Sequence, residues 1–220
     1  TALNNCVSAY IDDLIIWAPD AELHAKYLTF VFDTLAKHNV QLRPDKNHFF
    51  QKRVYFLGFY IEDGKLHVDE SKVDALTKAP KPTDVKLLRR FLGIVTFQRK
   101  FIPKMAENSL HLTNLLRKGC EWAWDEKCDQ EYDYLVKALT VPPALSLPNY
   151  ALTFVIRTDA CDYGIGCVLG QYSPNGRHRY VIAYQSRKLS ETEQRYCTRK
   201  KETLAIIWAI EKNWKYLFGA

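Results

Sequence analysis

The stretch Asn5-Cys6-Val7-Ser8-Ala9-Tyr10-Ile11-Asp12-Asp13-Leu14-Ile15-Ile16-Trp17 reads as two short strands around a tight turn. Apolar residues alternate poorly on the second strand, the pattern of a strand buried on both faces. The turn carries two adjacent aspartates. Side-by-side carboxylates repel, and they cost stability unless something cationic binds them. Magnesium is the natural candidate, a hard ion that prefers carboxylate oxygens. A pair of such ions clamps the attacking and leaving oxygens of a phosphoryl transfer. An Asp-Asp pair in a turn is also ordinary surface or capping chemistry. The tyrosine ahead of it and the apolar strands on both sides favour the metal reading.

Outward from this hairpin the period changes. Leu23, Tyr27, Phe30, Val31, Phe32 and Leu35 fall near helical spacing, with Asp20 as N-cap and Asn39 as stop. Val40–Leu42 reads as a short strand. Val54–Ile61 and Leu66–Val68 flank Asp63-Gly64, a strong hairpin signal. Pro80 and Pro82 break the chain. Thr83 then caps a helix expected to run to Phe101, with Val85, Leu88, Leu92 and Val95 on one face and Pro103 as its stop. Helices follow over Ser109–Lys118, ending at Gly119, and over Glu126–Leu139. Pro142, Pro143 and Pro148 mark a connector. Beyond it, Leu152–Thr158, Gly164–Tyr172 and Arg179–Arg187 read as strands, and one long helix is expected over Glu191–Tyr216.

The whole chain has 220 residues, 47% of them hydrophobic and 13% aromatic, which excludes an intrinsically disordered segment. No run approaches the roughly 18 apolar residues of a membrane span, and no charged-then-apolar leader opens the chain. Cysteines at 6, 120, 128, 161, 167 and 197 form no C-x-x-C pair and no disulfide framework, so reduced thiols in an intracellular protein are expected. The net charge of +6 is uneven: residues 65–105 carry 10 basic and 4 acidic side chains, whereas residues 106–150 carry 4 and 7. A basic block of this kind attracts polyanions and gains affinity by counterion release. A second carboxylate pair stands apart from the first. Asp159 ends an expected strand, and Glu202 lies in the long helix beside the apolar run Leu204-Ala205-Ile206-Ile207-Trp208, where an idle charge costs more.

Tyr10-Ile11-Asp12-Asp13 resembles the Y-x-D-D hairpin of reverse transcriptases, and the chain as a whole is similar to the gypsy class of LTR retrotransposon Pol polyproteins. The matching stretches run in order: Glu22-x-His24, Leu42-x-Pro44-x-Lys46, Phe56-Leu57-Gly58, Leu88-Arg89-x-Phe91-Leu92-Gly93 and Arg99-Lys100-Phe101-Ile102-Pro103. Then come Leu112-Thr113-x-Leu115-Leu116, Thr158-Asp159-Ala160, Gly164-Ile165-Gly166, Ser186-Arg187-Lys188-Leu189, Lys201-Glu202-x-Leu204-Ala205 and Tyr216-Leu217-Phe218-Gly219. The chain departs from the family pattern at Cys161, where serine is common, and at Lys200, where an acidic residue is common.

The resemblance implies an α+β fold: the C-terminal part of a reverse transcriptase palm over residues 1–68, a helical thumb and connector over 69–148, and the N-terminal part of a ribonuclease H-like domain over 149–220. It implies Asp12 and Asp13 as two polymerase carboxylates, Asp159 and Glu202 as two ribonuclease H carboxylates, and two Mg2+ ions per active site in the complete protein. Lys46 is implied as a donor of a proton or charge to the leaving pyrophosphate. Tyr10, Phe56, Leu57 and Gly58 are implied at the primer end. Arg89, Arg90, Gly93, Arg99 and Lys100 are implied along the duplex, where the basic side chains neutralise phosphates. Partners would be an RNA template, a DNA primer, an RNA–DNA hybrid and deoxynucleoside triphosphates. The place would be intracellular: the cytoplasm, a virus-like particle or the nucleus. The remaining carboxylates of both sites are expected outside this chain, which by itself would then be inactive. A pure nucleic-acid binder gains nothing from clustered carboxylates beside phosphates, and a scaffold has no need of the basic block.

Overall fold

The computed structural model describes residues 6–176 and 178–218. The chain forms two compact units, residues 1–63 and 64–220. In the first, β1 (Val7–Tyr10) and β2 (Asp13–Ile16) pair antiparallel, with Tyr10 opposite Asp13 and Val7 opposite Ile16. Helix α1 (Ala21–Lys37) follows. Its N-cap Asp20 accepts from the Leu23 N–H at 2.8 Å, and Asn39 at φ +54° ends it, both as the sequence indicates. Leu28 and Val31 are its buried residues. Val40–Leu42 is not a strand; the chain there is irregular and leads into a 3-10 turn at Pro44–Lys46. β3 (Arg53–Phe56) and β4 (Phe59–Glu62) form a second hairpin, paired from Arg53 opposite Glu62 to Phe56 opposite Phe59. Asp63 and Gly64 both have positive φ, the geometry of a type I′ turn.

The second unit opens with β5 (Lys65–Val68), which pairs with β6 (Leu145–Ser146). Helix α2 (Glu70–Thr77), which the sequence pattern did not reveal, is capped by Asp69. Helix α3 (Val85–Phe97) is shorter than expected at both ends. Asp84, not Thr83, is its cap, and Gln98 closes the last turn before a separate 3-10 turn at Arg99–Phe101. Helix α4 covers only Leu110–Asn114, although Gly119 at φ +79° does mark the end of that segment. Helix α5 (Glu126–Thr140) agrees with expectation to within a residue. These helices enclose one core built from Leu76, Leu88, Phe91, Leu92, Val95, Leu112, Tyr132 and Leu135. The Phe91 and Tyr132 rings lie 4.6 Å apart. Each such side chain contributes about 1.5–3 kcal/mol when fully buried.

A three-stranded antiparallel sheet completes the unit: β7 (Phe154–Ala160), β8 (Gly164–Tyr172) and β9 (Arg179–Lys188), in that order. The expected helix over 191–216 is two helices, α6 (Glu191–Gln194) and α7 (Thr198–Leu217), because Cys197 is extended and interrupts it. Helix α7 covers one face of the sheet. Its Ala205 and Ala209 are fully buried, small enough to let the helix axis approach the strands. Asn213, also buried, exchanges amide hydrogen bonds with Gln185 of β9, at 2.9 Å each way. Among the described residues no helix is long and apolar enough to cross a membrane.

Candidate functional site

At the first hairpin, Ile11 and Asp12 are the two turn residues. Ile11 has φ +54°, a left-handed conformation that a β-branched side chain adopts only under strain of about 1–3 kcal/mol. Positive φ at the first turn position alone is the type II′ pattern, where glycine is the favoured residue. Tyr10, Ile11, Asp12 and Asp13 are all exposed. Neither the Asp12 nor the Asp13 carboxylate has a hydrogen-bonding or ionic partner among the described residues. Two adjacent, unneutralised carboxylates at a rigid turn suit a hard divalent cation.

The same unit carries the other palm candidates. Lys46 ends the 3-10 turn, exposed, its N–H bonded to the Arg43 carbonyl. Phe56 ends β3, and Leu57-Gly58 is the two-residue turn between β3 and β4, with φ of +50° and +86°. Glycine suits the second position; leucine at the first is strained. Phe56 is half-buried and Leu57 exposed.

In the second unit, Arg89 and Arg90 lie on the exposed side of α3, opposite the stripe of Leu88, Leu92 and Val95. Gly93 lies on that exposed side too, and a side chain there would meet nothing within 4 Å. Arg99 is exposed. Lys100 is half-buried, and burial pushes its ammonium down to about 8. The three arginines are thus solvated, whereas Lys100 holds its charge less firmly.

Asp159 lies inside β7, not at its end, because the strand runs on to Ala160. It pairs with Gly166 of β8, flanked by Thr158 opposite Cys167 and Ala160 opposite Ile165. Ile165 and Ala160 pack with Ala205 of α7, and the Asn213 amide of α7 donates to the Cys167 sulfur. Strand alternation therefore turns Asp159 to the other face. There its Oδ2 meets the Lys104 ammonium at 2.9 Å. The hydrogen bond that Lys104 donates to Asp159 leads the causes that hold the Lys104 ammonium above its ordinary pKa. Glu202 stands half-buried on α7, its carboxylate with no hydrogen bond or ion pair among the described residues. Its neighbour Lys201, which is buried, reaches Asp162 at 2.8 Å. The cation seen at Asp159 is thus the Lys104 ammonium. Among the described residues no group of three His, Cys, Asp or Glu side chains is placed to hold a metal. Sequence reasoning missed Lys104 and the cavity of about 230 Å³ beside it, lined by Lys104, Glu107, Arg157, Asp159 and Tyr184. Lys104 is remote from Asp159 in sequence, and no local pattern pairs them.

Known proteins bear on this arrangement. Residues 1–61 match the family model described as reverse transcriptase (RNA-dependent DNA polymerase). Residues 124–220 match that of the RNase H-like domain found in reverse transcriptase. The retrovirus-related Pol polyprotein from transposon opus of Drosophila melanogaster is 39% identical over 222 residues, covering 96% of this chain. The chain belongs to the Pol polyproteins of LTR retrotransposons. The corresponding polyprotein from transposon 412 of the same fly is 34% identical, and the transposon Tf2-3 polyprotein of Schizosaccharomyces pombe 31%, each over 96% of this chain. The chain spans only 22%, 17% and 16% of those three relatives. In fold it is similar to a foamy viral protease-reverse transcriptase solved in complex with an RNA/DNA hybrid, with TM-score 0.84 and 23% identity over 97% of this chain and 29% of that one. A structure of such a protein with dsDNA gives TM-score 0.82 at 22% identity, over 95% and 44%. The chain thus carries reverse transcriptase and ribonuclease H-like segments of a retrotransposon polyprotein on a mixed helix and sheet fold.

Proposed function

We propose that this chain is the part of a retrotransposon reverse transcriptase that supplies two palm carboxylates, the thumb and the opening of the ribonuclease H domain. Residues 1–68 serve as palm, 69–148 as thumb and connector, and 149–220 as ribonuclease H-like segment. The observation that carries the reading is the hairpin at Tyr10–Asp13, where a strained turn presents two carboxylates that no cation among the described residues neutralises. Asp12 and Asp13 would hold magnesium at the polymerase site; Asp159, which turns from α7 to the Lys104 side of its strand, and Glu202 of α7 are the candidates for the nuclease site. When bound, the ions stabilise the charge that develops on the attacking and leaving oxygens. Tyr10 and the Phe56-Leu57-Gly58 turn orient the primer end. Lys46 meets the pyrophosphate that leaves a deoxynucleoside triphosphate. Arg89, Arg90, Arg99 and Lys100 hold the phosphates of the template–primer or RNA–DNA duplex, and Gly93 lets the backbone come close to it. The work is done inside the cell, in the cytoplasm, a virus-like particle or the nucleus. With two carboxylates at each site, the 220-residue chain alone holds magnesium weakly and turns over neither reaction.

The full polyprotein tests the assignment. Asp12→Asn or Asp13→Asn abolishes primer extension and spares RNA cleavage, whereas Asp159→Asn or Glu202→Gln does the reverse. Hybrid cleavage that survives Asp159→Asn would remove the second assignment. For the 220-residue chain, duplex affinity falls steeply with added salt, and replacing Arg89, Arg90 and Lys100 by Ala weakens it about equally for all sequences. Affinity that ignores salt would sink the thumb reading.

A further inference from the structure

We propose that Ser186 and Lys188 of β9 are positioning residues. They lock the three-stranded sheet onto the segment Pro103–Asn114, so that residues 64–220 ride a duplex as one rigid body and RNA is cut at one fixed distance from the thumb. The inference rests on reading 69–148 as thumb and connector and 149–220 as the ribonuclease H-like segment, and concerns how the second is held to the first. Domains joined by a proline-rich connector move relative to one another by default. Pro142, Pro143 and Pro148 make such a connector in the sequence.

In the fold that connector is stapled. Gln171 of β8, 2% exposed, donates from Nε2 to the Asn149 and Leu152 carbonyls at 2.6 and 2.9 Å, and its Oε1 accepts from the Asn149 N–H at 2.9 Å. A swing of the connector would break all three bonds at once. Beyond it, the sheet is held on both faces. Helix α7 takes one. The other carries Ser186 and Lys188, which pair with Gly166 and Gly164 and so share the face of Asp159. On that face the Ala106 N–H donates to the Ser186 hydroxyl at 3.0 Å, across 80 residues of chain. The Lys188 ammonium donates to Asn114 Oδ1 at 2.6 Å, across 74 residues, with Thr113 Oγ1 at 3.5 Å. Lys188 is half-buried, and burial leads the causes that push its ammonium down. A half-buried ammonium needs oxygen partners, and both of these lie across the seam. The approach is close, since a Cβ on Gly164 would lie 3.6 Å from the Ala106 methyl. The Arg99–Phe101 turn also lies against β9, with Phe101 fully buried. Toward β7 the seam is held by Lys104 and Asp159, whose side chains are 59% and 64% exposed. An ion pair so exposed holds little, which leaves Ser186 and Lys188 as the lock.

The test labels the two exposed native cysteines, Cys120 of the connector and Cys197 at the start of α7, with nitroxides in the 220-residue chain carrying Cys161→Ser; Cys6, Cys128 and Cys167 are buried. Pulsed dipolar EPR gives a single narrow distance distribution for that chain. Lys188→Met with Ser186→Ala widens it to about twice that width or more, with melting temperature as the check on folding. Lys188→Met alone widens it in part and decides by the same criterion if the double variant unfolds. Lys104→Met leaves the width unchanged. A broad distribution before any seam substitution, or a width that the seam variants do not change, overturns the inference. In the full polyprotein on a primed RNA–DNA hybrid, the double variant retains cleavage but scatters it over several positions where the wild type makes one dominant cut. Broadened distances with an unmoved cut overturn the positioning role. No cleavage by the wild type, with a narrow distribution that the seam variants broaden, overturns the nuclease reading and upholds the rigid joint.

Discussion

Glu193 gives the second unit a pH dependence that a single substitution removes. Its Oε1 accepts from Arg187 Nη2 and its Oε2 from Arg187 Nη1, both at 2.8 Å, and Oε2 also accepts from the Ser190 N–H at 2.8 Å. The pair is mostly shielded: the Glu193 side chain is 19% exposed. The bidentate guanidinium holds the carboxyl at about 2, against 4.5 for a free glutamate. Because the folded value lies below the unfolded one, the stabilisation is fully present above pH 4.5 and is lost as pH falls through 2. Its size is about 3 kcal/mol at most, and closer to 2 after solvent screening. Glu193→Gln therefore lowers the melting temperature by about 5 °C near pH 6, at a few degrees per kcal/mol for a unit of this size. The gap between the two proteins closes as pH drops towards 2. Thermal melts of both from pH 6 to pH 2 measure it. Parallel curves across that range would refute the argument, since the ion pair would then carry no stability of its own. The consequence reaches the site, because this pair and the Ser190 capping box fix α6, and through it the start of α7 that bears Lys201 and Glu202.

Three more outcomes follow from burial. Gln98 is 1% exposed and its amide has no hydrogen-bond partner among the described residues. Gln98→Leu, of similar volume, raises stability by about 1 kcal/mol in urea unfolding, and a loss would mean the amide is satisfied by water. Glu131 accepts from the His111 and Leu112 N–H groups at 2.9 Å each and from the His111 ring at 2.7 Å. Glu131→Ala strands those buried donors and costs about 3 kcal/mol, while Glu131→Gln costs less because it keeps one acceptor; equal losses would contradict this. Gly170 sits at the β8 bulge, where an added Cβ would lie 2.5 Å from the Tyr180 carbonyl oxygen. Gly170→Ala loses about 2 kcal/mol or more, read by thermal melting, and a neutral result would show that the bulge relaxes freely.

What the sequence revealed tracks how local the signal was. Asp20, Asn39, Asp63-Gly64 and Gly119 act within one turn of chain, and each does what its chemistry dictates. Strand β8 was read to the residue because its glycines and apolar alternation are unambiguous. The misses have tertiary causes. The Arg99–Phe101 turn carries a helical pattern, but Phe101 is fully buried, and the chain bends after Gln98 to place it. The break at Cys197 follows from the Arg187–Glu193 pair, which anchors α6 to β9. The carboxylates of both candidate sites were legible as residues. The Lys104 ammonium at Asp159 was not, because it depends on how segment 103–107 lies across the sheet.

Backbone strain separates what the fold needs from what it tolerates. Six non-glycine residues have positive φ among the described residues. Asn39 and Asp63 are types that accept that conformation readily. Ile11, Phe50, Leu57 and Lys104 are not, and each gives up about 1 kcal/mol or more relative to glycine. Phe50 has a local return, since its ring packs on His24 at 4.9 Å. Ile11 is 84% exposed and Leu57 39%, so burial does not repay them. Lys104 is also largely exposed, and its ion pairs are of the solvent-screened kind that contribute little. Stability alone would favour glycine at all three. These side chains stand beside Asp12, in the turn proposed to meet the primer, and against Asp159. For Ile11 and Leu57 the contact that would offset the strain is the nucleic acid proposed above, whereas Lys104 has a partner within the chain, the Asp159 carboxylate.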